Sequence, residues 1–233
     1  MTYARYELVR TLRSGGHHVF TLALPLVLFA VVTAQNPGDD GRGRPIAFYV
    51  MVAMATWGGI SAMIDAGARI VAERTGGWNR QLRITPLPAW VFLGAKVGCA
   101  YLMAVAVLAT LGVAGAVAGV RLPAVDWAGL AALMLLGLLP FAALGVLLGH
   151  TMSLDRIGPV GSAVTVAFAL VGGSWGAVVP DALARWVPSY WMVRLPEAVP
   201  GGWPPLAWAV IGVWTLATTP LAVRACRRDT GRH

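Results

Sequence analysis

Apolar and polar positions divide the chain into six long apolar runs, at about residues 18–35, 46–64, 90–119, 128–149, 160–179 and 206–223. A helix needs about 20 apolar residues to cross a hydrocarbon core, so each run predicts a transmembrane α-helix. The first run ends at Gln35, before the turn-rich sequence Asn36-Pro37-Gly38-Asp39-Asp40-Gly41. Val32-Thr33-Ala34 imitates a signal-peptide cleavage site, but the long, Glu7-containing leader and the spans that follow favour a retained helix. Asp65 closes the second run. Lys96 lies one to two turns inside the third; its side chain can snorkel to the headgroups or serve as a buried functional charge. Pro140 falls inside the fourth run, where a membrane helix tolerates it as a kink, and Gly172-Gly173-Ser174 interrupts the fifth. Residues 180–205 mix Trp186, Tyr190, Trp191 and Trp203 with Asp181, Arg185, Arg194, Glu197 and six prolines. Such a segment predicts short helices in the outer interface, where aromatic rings settle.

Ahead of the first run, Tyr6, Val9 and Leu12 recur at threes with Arg5, Arg10 and Arg13 largely off that stripe. This predicts an amphipathic helix over residues 1–16 in the headgroup plane, the alternative being a plain cytoplasmic tail. The predicted fold class is an all-α integral membrane protein, in one domain over residues 1–233. It has six transmembrane helices, an N-terminal interfacial helix and short extracellular helices before the last span.

Composition agrees. Of 233 residues, 58% are hydrophobic and 12% charged, against about 25% charged in soluble domains. The net charge of +8 points to membrane topology rather than to nucleic acid, because the bases fall between apolar runs instead of along one helix or ribbon. With the N-terminus inside, the inner segments hold 13 bases and the outer ones five, while the acids divide five and five. The expectation is a multi-pass protein of the plasma membrane, in contact with lipid, with both termini cytoplasmic.

Missing motifs narrow the chemistry. The chain has no Gly-x-x-x-x-Gly-Lys-Ser/Thr nucleotide cradle and no His-Glu-x-x-His. His17, His18, His150 and His233 lack metal spacing, and Cys99 and Cys226 fall on different segments, so neither a metal site nor a disulfide is expected. Acids are scarce within the runs, leaving few parts for an ion relay. Ser162, Thr165 and Ser174 have no evident base. Gly115/Gly119 and Gly145/Gly149 are spaced by four, which suits close helix packing within one subunit or at a dimer interface. A membrane enzyme is therefore disfavoured. A transporter body and a non-transporting immunity or sensor protein that binds a ligand or partner both remain.

The most informative stretch is polar, from Ala72 to Pro88. Read as a connector, it needs no further explanation. Its details also suit docking: Gly76-Gly77 allows a tight turn, Asn79 to Ile84 can form a short helix, Arg80 and Arg83 share a face at i, i+3, and Pro86 and Pro88 fix the exit. The segment Ala72-Glu73-Arg74-Thr75-Gly76-Gly77-Trp78-Asn79-Arg80-Gln81-Leu82-Arg83-Ile84-Thr85-Pro86-Leu87 resembles the loop between spans two and three of ABC-2 type exporter permeases. The six-span plan, the basic N-terminal helix and Pro188-Ser189-Tyr190-Trp191 extend the resemblance over the whole chain. The resemblance implies a non-enzymatic permease subunit that exports a hydrophobic or amphipathic compound such as a drug, antibiotic or lipid. It implies a separate ABC ATPase subunit that binds ATP and Mg, no cofactor in this chain, and a second permease copy in a homodimer or heterodimer. Residues 72–88 would then be the coupling loop, with Glu73, Arg74, Gly77, Arg80, Leu82, Arg83, Thr85 and Pro86 at or beside the ATPase. Arg5, Tyr6, Val9, Arg10, Leu12 and Arg13 would belong to the connecting helix at the membrane surface.

Overall fold

A computed structural model of the chain describes residues 15–41, 43–75 and 89–231. Among them the secondary structure is helical, with one isolated antiparallel bridge between Asp39 and Pro45. In chain order the long helices are α1 (Gly15–Gln35), α2 (Ile46–Thr75), α3 (Ala89–Val117), α4 (Ala124–Gly137), α5 (Leu139–Thr151) and α6 (Leu154–Gly172). Three short ones follow, α7 (Asp181–Ala184), α8 (Pro188–Val193) and α9 (Leu195–Ala198), before the long α10 (Pro205–Gly231).

Five stretches among the described residues are long and apolar enough to cross a membrane: Ile46–Thr75, Gly94–Val117, Ala124–Thr151, Leu154–Gly172 and Pro205–Arg228. Thr21–Gln35, within α1, is a shorter apolar helix. The chain is a multi-pass membrane protein. Many side chains pointing away from its core are apolar, among them Val113, Val117, Val213 and Leu216. Water would penalise them and lipid accepts them.

The α2 helix is the hub. It packs against α1, α3, α5 and α6 and is buried along nearly all of its length. A helix apolar on every side has to be surrounded, and the small residues of α2 allow close neighbours. A Cβ on Gly58 would lie 2.7 Å from Val107 Cγ1 and 3.2 Å from Pro25 Cγ; one on Gly59 would lie 3.1 Å from Leu138 Cδ1. The helix also runs to Thr75, well past Ile64, where the sequence predicts the span to end. Asp65 does not stop it because Thr21 Oγ1 donates to Asp65 Oδ2 at 3.2 Å, giving the carboxylate a partner on α1.

Gly145 and Gly149 lie against α2 of the same chain. A Cβ on Gly145 would run into the Met63 carbonyl oxygen, and one on Gly149 would come within 2.9 Å of Ile70 Cβ and 3.0 Å of Gly67 O. Gly115 faces Met51 Sδ in the same way. These three glycines therefore serve packing within one subunit. Pro140 separates α4 from α5: it carries no N–H to continue the ladder, and the chain turns at Leu138 before resuming with Ala142 N donating to Leu138 O at 2.9 Å. The single predicted fourth span is thus two helical pieces in line.

Two polar ends result. The ends of α2 and α5 and the start of α3 gather at one, which we call the loop end because residues 76–88 leave from it. At the other, Arg44 donates to the carbonyls of Pro196 and, at 3.3 Å, Val199, tying the 36–45 turn to the short helices. Indole N–H groups fix those helices: Trp191 to Arg185 O at 2.8 Å, Trp203 to Trp191 O at 3.1 Å and Trp214 to Trp186 O at 2.9 Å. These aromatic rings present an apolar body while the polar edge pairs with backbone.

Candidate functional site at the base of the central loop

Of the eight residues expected at an ATPase contact, Glu73 and Arg74 are described. Gly77, Arg80, Leu82, Arg83, Thr85 and Pro86 lie outside the described residues, as do Arg5, Tyr6, Val9, Arg10, Leu12 and Arg13 of the interfacial helix. The structure separates the roles of the two it describes.

Glu73 belongs to the last turn of α2, where a carboxylate meets the negative end of the helix dipole. It faces inward, 5% exposed, and Lys96 Nζ donates to its Oε1 at 2.6 Å. Lys96 is 2% exposed. The snorkelling expectation for Lys96 therefore fails. Its amine does not reach the surface because the extra turns of α2 bring a carboxylate within reach inside the bundle. Desolvating both ions largely offsets their attraction, but removing either partner leaves a charge buried, so such a pair holds two elements in fixed register. Here the two elements are the helices flanking the loop.

Arg74, one residue on, points to a different neighbour. Its Nη1 donates to Gly149 O at 2.8 Å, with Met152 O at 3.5 Å. Gly149 is in the last turn of α5, whose final carbonyls have no intrahelical donors. The guanidinium thus caps α5 and complements its dipole. Gly149 is suited to this because a side chain there would hold α2 away. Thr75 closes α2 with its hydroxyl on Val71 O at 3.1 Å.

Consecutive residues thus secure both sides of the loop's root: Glu73 binds α3 and Arg74 binds α5. The Leu154–Gly172 helix begins just after this cap, so α2, α3, α5 and α6 meet at one end. Sequence reading missed Lys96, Gly149 and Met152 as partners. The signal for Lys96 was one cation set seven residues into an apolar helix, within reach of the loop's acid. The two carbonyl partners carry no signal, since any residue supplies one.

No protein-family model matches the chain. Over 193 residues it is 28% identical to "Putative transport permease YvfS" of Bacillus subtilis (strain 168), a match covering 79% of this chain and 78% of that protein. This chain is a homologue of that protein. The relationship spans most of both chains and supports the resemblance to ABC-2 type permeases.

Proposed function

We propose that this chain is the transmembrane permease subunit of an ATP-driven exporter of the ABC-2 type. It moves a hydrophobic or amphipathic compound, such as a drug, antibiotic or lipid, out of the cell. The observation that carries the reading is the 28% identity, across four-fifths of the chain, to the Bacillus subtilis protein named "Putative transport permease YvfS". Two features favour an external motor. The sequence lacks a phosphate-binding loop, so ATP and Mg would be bound by a separate ABC ATPase subunit. The sequence that follows Glu73 and Arg74 is polar, with Arg80 and Arg83 spaced by three, as one helical face would need.

In this reading six helices cross the plasma membrane, α1 being the first, and both termini and residues 72–88 are cytoplasmic. The short helices α7 to α9 are extracellular. The loop docks on the ATPase, and two permease copies assemble with two ATPase subunits. ATP-driven motion enters through the loop, and the Glu73–Lys96 and Arg74–Gly149 contacts pass it to α2, α3 and α5 together.

The test is co-purification of the detergent-solubilised protein with its neighbouring gene products, followed by an ATPase assay. Wild type should retain an ATPase and Arg80→Glu/Arg83→Glu should lose it, with the permease still folded by gel filtration. If folded wild type retains no ATPase, the exporter reading falls and a stand-alone immunity or sensor protein takes its place.

A further inference from the structure

At the end opposite the loop, a cavity of about 790 Å³ opens between α1, the start of α2, the turn after α6 and the short helices. Its size falls in the range of about 300–1,000 Å³ typical of small-molecule sites. The walls are apolar, with Leu28, Val50, Met54 and Val171 contributing. Two features distinguish it from a packing defect, which would be smaller and uniformly apolar.

The first is Ser174. Its side chain lines the cavity, is 4% exposed, and its hydroxyl has no hydrogen-bond partner among the described residues. A buried hydroxyl left unmade costs free energy, and natural structures retain few of them. Its position is set from outside. Gly173 ends α6 in the left-handed region, at φ 83°, and Ser174 N returns to Ala169 O at 2.8 Å. Gly172 admits Ser189 so closely that a Cβ would sit 2.5 Å from Ser189 Oγ, which itself donates to Phe168 O at 2.9 Å. The turn that presents Ser174 is therefore locked onto α8, and next to it Trp175 packs edge-on against Trp57 at 5.2 Å.

The second is the mouth. Arg194 donates to both oxygens of Asp181, at 2.9 and 3.0 Å, and to Glu197 at 3.3 Å, and its guanidinium lies 4.5 Å from the Tyr190 ring centre. Burial pulls the Arg194 pKa down, but Tyr190, Glu197 and Asp181 outweigh it and leave the group above its ordinary value. Around the mouth Asp40, which accepts from the Tyr49 hydroxyl, joins Asp181 and Glu197, while Arg44 on the Pro196 carbonyl joins Arg194, so among the described residues three carboxylates face two guanidiniums. Asp181 and Glu197 keep 65% and 53% of their side chains exposed, open to an incoming group. Tyr49 lines the same mouth, and aromatic ring faces attract cations, as Tyr190 already does with Arg194.

We propose that this cavity binds an amphipathic organic cation, with its apolar body between α1, α2 and α6, one polar group on the Ser174 hydroxyl, and its positive end at the Asp181–Glu197 rim. The substrate class rests on the exporter reading; the binding itself does not. The test titrates the detergent-solubilised full chain with rhodamine 6G, a cationic xanthene, and with fluorescein, an anionic one, following fluorescence anisotropy.

Saturable binding of rhodamine 6G, tighter than that of fluorescein, is expected. Ser174→Ala should weaken it about fivefold, the loss of one neutral hydrogen bond. Glu197→Gln should narrow the preference for the cation. Val50→Trp, which fills the cavity, should abolish saturable binding while gel-filtration and melting profiles stay native; Ala53→Phe fills it from the next turn if Val50→Trp does not fold. Equal binding of the two dyes, unchanged binding in a folded cavity-filling variant, or no saturable binding by wild type would each overturn the proposal. Dye binding by a protein that retains no ATPase would keep the site and discard the exporter reading.

Discussion

The Glu73–Lys96 pair shows how a single side chain can be misread from its neighbours in sequence. Lys96 sits in apolar surroundings close to a predicted membrane edge, the usual setting for snorkelling. What decides otherwise is a carboxylate 23 residues away. Both ends are at most 5% exposed, so the pair resists solvent screening. Lys96→Met should destabilise the protein by about 3–5 kcal/mol, the usual cost of breaking a buried pair from one side. Glu73→Leu/Lys96→Met should recover much of that loss. Thermal unfolding in detergent across the four proteins of this cycle reads the coupling directly, and additive losses would show that the two charges are held by other groups.

At the scale of the helix, close approach is controlled by where a side chain is missing. Gly145→Ala should lower stability by about 1–3 kcal/mol, since the new methyl meets a backbone carbonyl that cannot swing aside. Gly129→Ala in α4 should leave stability unchanged or raise it, because nothing lies within 4 Å of the added Cβ and alanine is the better helix former. Melting temperatures of the two variants, compared in the same detergent, test this contrast. The apolar runs made these helices legible in the sequence, along with the short aromatic-rich helices and the break at Pro140. The true end of α2 was not legible. Asp65 and Glu73 read as water-seeking residues, yet Thr21 on α1 and Lys96 on α3 partner them, and the α2 helix goes on for about three more turns. The centrality of α2 was hidden as well, because every run is apolar and only the packing tells a surrounded helix from one facing lipid. The same holds for the candidate sites. Glu73 and Arg74 could be picked out from the loop's sequence, whereas Ser174 gains its meaning from a turn that only the fold forms.

Over the whole molecule, charge and architecture agree in dividing the bundle into two ends. Single cysteines test the proposed orientation. Leu183→Cys, at a position 65% exposed in α7, should react in intact cells with a membrane-impermeant maleimide. Ser153→Cys, exposed just beyond the Arg74-capped end of α5, should react only after the cells are opened. The native Cys99 and Cys226 are 4% and 6% exposed and should contribute little background. The reverse pattern would invert the topology and move the Arg-rich loop outside.

The α2 helix has one further mechanical consequence. Thirty residues without a proline make a rod about 45 Å long. Its Gly58-Gly59 pair could have been a flexing point, but Val107, Pro25 and Leu138 fill the space beside it. One end of the rod bears Glu73 and Arg74; the other bears Val50 and Met54 in the cavity wall. A rod braced near its middle pivots instead of bending. If the loop receives motion as proposed, a displacement at its root would reach the cavity wall along one unbroken helix.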